Sequence, residues 1–279
     1  MQNKIVLITG ATHGIGEAAA KALARMGATI VVHGRNPERC KSVVNQIREE
    51  TGNPNVDFLV ADISVQAQVR RLAQDFQARH PRLDVLINNA GGAFLMRSLS
   101  VDGIEMTFAL NHLSYFLLTN LLLEMLRASA PARIINVSSN SHTGRKLDFD
   151  DLQSKRGYYV MRAYGRSKLA NILFTYELAR RLEGSGVTAN VMHPGFVATN
   201  IGKNNGPLAR LVISLIHRRA LTVEEGARTI IHLASSHEVD GVNGKYFVKE
   251  KAIPSDPASY DKDAMERLWR VSAEMTGLG

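Results

Sequence analysis

A single cysteine, Cys40, stands in 279 residues, so this chain can form neither a disulfide framework nor a cysteine-based zinc site. Such usage fits a reducing compartment. The nine histidines include no HxH or HxxxH spacing, and no metal is expected. No apolar run approaches the ~20 residues of a membrane-spanning helix. The most apolar later stretch, 208–216, is far shorter and carries Arg210 within it. The opening run from Ile5 to Ile8 is likewise too short for a signal-peptide core, and a cytoplasmic location is the expectation. Membrane contact is not expected. Like charges never run to five in a row, although Lys and Arg (34) outnumber Asp and Glu (26) to leave a net charge of +8. The excess favours an anionic small molecule over nucleic acid. Its doublets, such as Arg70-Arg71 and Arg180-Arg181, are scattered as on solvated helix faces.

What remains is ordinary globular composition, 45% hydrophobic and 22% charged, which rules out a disordered or fibrous chain. Val- and Ile-rich runs at 4–9, 29–33, 56–60, 84–88, 133–138, 187–193 and 245–248 are nearly continuous in apolar residues. That is the pattern of parallel strands covered on both faces. Helical periodicity fills 16–26, 37–50, 65–79, 101–126, 159–182 and 223–235 between them, and a last helix falls around 264–275. In the first helix Ala18, Ala19, Ala22 and Leu23 form a stripe closed by Gly27. Alternating strand and helix with right-handed crossovers builds an α/β fold, a Rossmann-type doubly wound parallel sheet of about seven strands. No linker composition divides it, so 1–279 reads as a single domain. Two stretches break the rhythm: a polar, turn-rich 143–161, and 199–221, whose Leu208, Leu211, Val212 and Leu215 suit a loop over a lipophilic substrate. A helical tail runs over 254–279.

The first strand enters Thr9-Gly10-Ala11-Thr12-His13-Gly14-Ile15-Gly16 and a helix follows. A tight turn and a close backbone approach to a pyrophosphate both call for glycine, and the helix N-terminus offers N–H groups to the anion. Such turns also occur for packing alone, and the GxxxGxG spacing differs from the common dinucleotide fingerprint. Its place at the first βα junction favours the binding reading. NAD sites put a carboxylate after the second strand, whereas this chain has Arg35 and Asn36 there. An arginine suits a 2′-phosphate, so NADP(H) is expected over NAD(H). Asp62-Ile63 and Asn88-Asn89-Ala90-Gly91 end the third and fourth strands, where an open sheet binds ligands. The same residues could also serve only as turn formers.

The reactive candidates are Ser138 and Ser139 at the fifth strand's end, and Tyr164 and Lys168, one helical turn apart in the next helix. An ammonium beside a phenol lowers the phenol's pKa toward working pH, and a serine hydroxyl can hold a developing oxyanion. Alternation at a strand end lets only one of the two serines face the crevice. His142 and His193 fall near this mouth but read as loop and strand-end residues. Cys40 lies in a helix with no nucleophile pattern around it.

Taken in order, TGATHGIG, NNAG, Asn111, VSS and YGRSK resemble the short-chain dehydrogenase/reductase family over 4–248. Asn111-His112-Leu113, the segment 149–153 and Ser167-Lys168-Leu169-Ala170-Asn171 are closest to its retinol dehydrogenase branch, as is the long Ser139-to-Tyr164 interval. The resemblance implies NAD(P)(H) without metal, with Tyr164 as general acid/base. Lys168 would hold the nicotinamide ribose and lower the Tyr164 pKa, Ser139 would orient the carbonyl, and Asn111 would hold a water of the proton relay. Pro194, Gly195, Val197 and Thr199 would line the nicotinamide. Dimers or tetramers would form through helices 101–126 and 159–182. The expected activity is hydride transfer between NADP(H) and a lipophilic carbonyl or alcohol, as in aldehyde or ketone reduction. The alternatives are oxidation of a secondary alcohol such as a steroid, or a dinucleotide-binding sensor without chemistry. The intact proton-handling set argues against the last.

Overall fold

A computed structural model describes residues 1–195, 197 and 221–279. The expected loop 199–221 therefore lies, except for Leu221, outside the described residues. Eight strands form one sheet: β1 (Ile5–Ile8), β2 (Thr29–Gly34), β3 (Val56–Val60), β4 (Val85–Asn88), β5 (Ala132–Val137), β6 (Val187–His193), β7 (Tyr246–Val248) and β8 (Lys251–Ile253). Their order is β3-β2-β1-β4-β5-β6-β7-β8. The first seven pair in parallel, as expected. The eighth was not foreseen and pairs antiparallel with β7. Lys249 and Glu250 both take positive φ (49° and 66°), which turns the chain back in two residues without the Asn-Gly that normally announces such a hairpin.

Helices α1 (Gly14–Arg25), α2 (Pro37–Thr51), α3 (Gln66–Arg79), α4 (Met106–Phe108), α5 (Ser114–Leu121), α6 (Leu123–Ala128), α7 (Val160–Arg181), α8 (Val223–Ser235) and α9 (Lys262–Thr276) cover the sheet. Side chains alternate across β1: Val6 and Ile8 join the core beneath α1, α2 and α8, whereas Ile5 and Leu7 join the core beneath α3, α5 and α7. α2 starts where Asn36 accepts a hydrogen bond from the Arg39 N–H (2.9 Å) ahead of Pro37. It stops at Gly52, whose φ is 69°. The buried stripe of α1 is Ile15, Ala19, Leu23 with Gly16, Ala20 and Ala24, rotated from the expected one; Ala18 and Ala22 lie only half-buried. The single cysteine is buried in α2, and burial raises its thiol to about 11, which leaves it protonated and inert.

The long helix expected at 101–126 is broken. Glu105 accepts from the N–H groups of Thr107 and Phe108 (2.9 Å each), so the helical stretch starts at 106. A π turn (Ala109–Leu113) then separates α4 from α5. Within the same chain α9 lies across α5 and α7, the helices expected to carry subunit contacts. Its Trp269 ring centroid sits 5.0 Å from Phe116 and 5.8 Å from Phe174, with the Arg181 guanidinium 4.1 Å from the indole. No helix among the described residues is long and apolar enough to cross a membrane.

Candidate active site

The sheet order reverses between β1 and β4, and ligands of open α/β sheets lie outside the carboxyl ends at such a point. Gly10 (φ 65°) and Gly14 (φ 62°) give the turn after β1 a shape that other residues resist. Gly16 serves a different need, since a Cβ there would fall 2.5 Å from Asn89 Nδ2 and 2.8 Å from the Gly10 carbonyl. Asn89 in turn donates through Nδ2 to the Thr9 carbonyl (2.8 Å), and its own N–H donates to Thr9 Oγ1 (2.9 Å). The β1 and β4 ends are thus one unit. His13 at the N-cap of α1 has extended backbone and supplies no side-chain cap. The first N–H groups of α1, around Gly14, Ile15 and Gly16, therefore meet no capping side chain, and the positive end of the helix is open to an anion.

Cations gather beside that end. Arg35 is exposed just past β2, and Arg39 Nε donates to the Thr12 carbonyl (3.0 Å), which fixes its guanidinium against the glycine turn. Burial, then the charges of Arg39 and Arg35, hold His13 below its ordinary value, with Glu17 opposing. Asn36 spends its side-chain oxygen as the α2 cap. Asp62 accepts from the N–H and hydroxyl of Ser64 (3.0 and 2.7 Å), and Ile63 is buried beside it. These features meet what a dinucleotide needs: an uncapped helix start for the pyrophosphate and a cationic edge for the adenosine end.

At the end of β5 the two serines separate. Ser138 is buried and donates to the Lys168 carbonyl (2.8 Å), a structural role. Ser139 accepts from the Ser141 N–H (3.2 Å), capping a 3-10 turn (Asn140–His142), its hydroxyl donates to Ser141 Oγ (3.2 Å), and it is the polar neighbour that opposes the upward shift of Tyr164. Lys168, one turn along α7 from Tyr164, is 3% exposed and donates from Nζ to the Val137 carbonyl (3.0 Å). A Cβ on Gly91 would lie 3.1 Å from Asn111 Oδ1 and 3.4 Å from Lys168 Nζ, so the β4 turn reaches the same place. Burial raises Tyr164 to about 12, with Ser139 opposing, and lowers Lys168 to about 7. The expectation that Lys168 depresses the Tyr164 phenol is not met here. Lys168 Nζ is directed at the Val137 carbonyl and lies 5.7 Å from the Tyr164 ring centre, and desolvation disfavours both charged forms.

Residues 4–208 match the family model described as short chain dehydrogenase. The chain belongs to the short-chain dehydrogenase/reductase family. Family members use NAD(P)(H), and this one is an oxidoreductase related to retinol dehydrogenases. It is 44% identical to human (Homo sapiens) retinol dehydrogenase 14, covering 100% of this chain and 88% of that protein. It is 42% identical to human polyprenol dehydrogenase, covering 99% and 86%. Among solved structures, an uncharacterized protein from Mycobacterium paratuberculosis superposes with a TM-score of 0.81 at 31% identity, covering 99% of this chain and 94% of the other. The Pseudomonas aeruginosa RhlG/NADP active-site complex gives 0.71 at 30% identity over 93% and 97%.

In this short-chain dehydrogenase/reductase Asn111 lies within the π turn, a feature that often marks functional positions. Its amide is engaged: Oδ1 accepts from the Gly92 N–H (2.8 Å), and Nδ2 donates to the Gly92 carbonyl (3.0 Å) and to Ser167 Oγ (2.9 Å). The side chain thus ties the β4 turn to α7. Gly195 follows β6 at φ 86°, after Pro194, and donates its N–H to His193 Nδ1 (3.1 Å). Val197 is buried; a Cβ on Gly226 would fall 2.5 Å from its Cγ2 and 2.9 Å from Ile15, which sets it near the start of α1. Thr199 lies outside the described residues.

Two positions escaped the sequence reading. Arg39 is one helical turn beyond Arg35, a spacing that could have flagged it. His33 left no such signal. Its Nδ1 accepts from the Gly10 N–H (3.3 Å) and its Nε2 lies 3.0 Å from the Ala61 carbonyl, joining three strand ends. Burial lowers it to about 4, so the neutral ring that this bonding requires persists at working pH.

Proposed function

We propose that this protein is an NADP(H)-dependent reductase of lipophilic, isoprenoid-type aldehydes or ketones, related by the reverse reaction to the corresponding alcohols. The observation that carries the chemistry is the buried Tyr164, with Lys168 Nζ 5.7 Å from its ring centre one turn along the same helix and Ser139 at the adjoining end of β5. Substrate class follows from two relatives named for lipophilic isoprenoid alcohols, retinol and polyprenol.

When bound, the nicotinamide supplies the hydride to the carbonyl carbon. Ser139 Oγ and Tyr164 Oη together hold the carbonyl oxygen. At about 12, Tyr164 keeps its proton through the physiological range, which is the form a reductase needs as general acid. Its Oη gives that proton to the oxygen as negative charge develops there. Lys168 binds the nicotinamide ribose and assists reprotonation of Tyr164 once charge appears on the phenol. Asn111 keeps the β4 turn and α7 in register for this exchange. The N-terminus of α1 holds the pyrophosphate, and Arg35 with Arg39 holds a 2′-phosphate that a carboxylate would repel.

Steady-state oxidation of NADPH and NADH against retinoid, linear isoprenoid, steroidal and aliphatic carbonyls tests the reading. Turnover with NADPH and an isoprenoid aldehyde is expected, and Tyr164→Phe should abolish it while NADPH binding stays within about twofold. Retained turnover in Tyr164→Phe would remove that residue from its role. Arg35→Ala and Arg39→Ala should each weaken NADPH binding by about tenfold or more and leave NADH binding unchanged. Equal loss for both cofactors would refute the 2′-phosphate assignment.

A further inference from the structure

His142 lies directly behind Ser139. Its main-chain N–H (3.2 Å) and its ring Nδ1 (2.7 Å) both reach the Ser139 carbonyl, so one residue grips that oxygen twice. On the far side of the ring, the Asp256 N–H donates to Nε2 (3.3 Å). An acceptor nitrogen carries no proton, so the proton sits on Nδ1, where it is donated to Ser139. The ring is 3% exposed and meets Tyr246 edge-on, with centroids 5.2 Å apart. The Asp256 carboxylate closes the arrangement by accepting from the Gly144 N–H (2.9 Å) and the Ala258 N–H (3.0 Å).

The gripped turn also bears on the proton donor. A Cβ on Gly165, the residue after Tyr164, would lie 2.4 Å from the Ser141 carbonyl, so the turn rests on α7 at the Tyr164–Gly165 step with no slack. Nearby, Ser255 Oγ meets the Tyr176 hydroxyl of α7 at 2.7 Å, which anchors the tail to the same helix. The Ser139 main chain is therefore held from the front by α7 and from behind by the C-terminal tail, to which the His142 imidazole and the Gly144 N–H both link it through Asp256.

We propose that His142 is a positioning residue for Ser139, locking the serine's turn to Asp256 of the C-terminal tail so that the serine and tyrosine hydroxyls stay aligned on the carbonyl. This rests on the reading of Ser139 and Tyr164 above. The tail beyond residue 250 thereby becomes part of the active-site scaffold rather than a peripheral helix. The buried ring acts through Ser139 alone.

The test measures kcat, KM and NADPH affinity for His142→Phe, His142→Asn, Ser139→Ala and the double variant His142→Phe/Ser139→Ala, with the best carbonyl substrate. Phenylalanine keeps the ring against Tyr246 and removes both hydrogen bonds; asparagine restores a donor near Nδ1. His142→Phe should lower kcat about 10- to 100-fold, with NADPH affinity within about twofold, and His142→Asn should recover most of the loss. In the Ser139→Ala background His142→Phe should have no further effect, because both act through one hydroxyl. Unchanged kcat in folded His142→Phe, or additive losses in the double variant, would overturn the proposal. Full activity in Ser139→Ala would instead overturn the reading of Ser139 beneath it. Should His142→Phe fail to fold, the 15N shifts of His142 decide: a proton on Nε2 refutes the arrangement and a proton on Nδ1 supports it.

Discussion

Replacing Lys168 by methionine sets stability against activity, because the ammonium is held where water is excluded. Burial lowers the group from its ordinary 10.5 to about 7, a displacement of roughly 3.5 pKa units that corresponds to at most about 5 kcal/mol. The unfolded chain keeps this proton up to about 10.5, whereas the native protein gives it up near 7. Between those values the unfolded state binds more protons, so native stability rises with pH. Below about 7 both states are protonated and the cost of burying the charge is fully present. Methionine has similar length and no charge, and the Val137 carbonyl that loses Nζ keeps Asn171 Nδ2 at 3.4 Å. Lys168→Met should therefore be more stable than the wild type at pH 7 and catalytically dead. Its advantage should shrink by about 2 kcal/mol between pH 7 and pH 9. Urea unfolding followed by the fluorescence of Trp269, the only tryptophan, measures both proteins at each pH. Taking the difference cancels groups that titrate alike in the two. An advantage that does not change over this range would refute the buried-ammonium argument.

Other expectations come from single atoms. The Tyr115 hydroxyl is fully buried and finds no hydrogen-bond partner among the described residues, so Tyr115→Phe should raise stability by about 1 kcal/mol. A lower melting temperature would mean the hydroxyl is bonded after all. Gly16→Ala places a methyl 2.5 Å from Asn89 Nδ2 and 2.8 Å from the Gly10 carbonyl, and should cost about 1–3 kcal/mol and weaken NADPH binding measured by fluorescence. Gly52→Ala separates strain from crowding. Its Cβ would meet nothing within 4 Å, but its φ is 69°, so a loss of about 1 kcal/mol with unchanged cofactor affinity is expected.

Much of the site could be read in one dimension because its parts are local. The glycine turn, the Arg35 edge and the Tyr164–Lys168 spacing each need only a few consecutive residues and a known element type. Strand alternation leaves one of Ser138 and Ser139 for the crevice without saying which; the family resemblance favours Ser139, and Ser138 is instead spent on the Lys168 carbonyl. Asn36 shows the limit of this kind of reading. Its position near the adenosine end was visible, but its oxygen is spent on the Arg39 N–H. β8 was missed because Lys249 and Glu250 adopt left-handed backbone without the residues that favour it. The apolar pattern predicts an unbroken helix over 101–126 because neither the Glu105 cap nor the π turn alters it.

The sequence by itself determined the layer architecture, a doubly wound and mainly parallel sheet, and the candidate residues for the site. These depend on apolar periodicity and short spacings, which act between residues close in the chain. Tertiary structure alone decided the protonation states. Lys168 falls to about 7 and Tyr164 rises to about 12 because residues from β4, β5, α5 and α7 jointly exclude water from both. It also decided which ring nitrogen of His142 carries the proton, since the donor that fixes it sits at residue 256. Desolvation and long-range hydrogen bonding are properties of neighbours brought together from distant parts of the chain, and no window of sequence contains them.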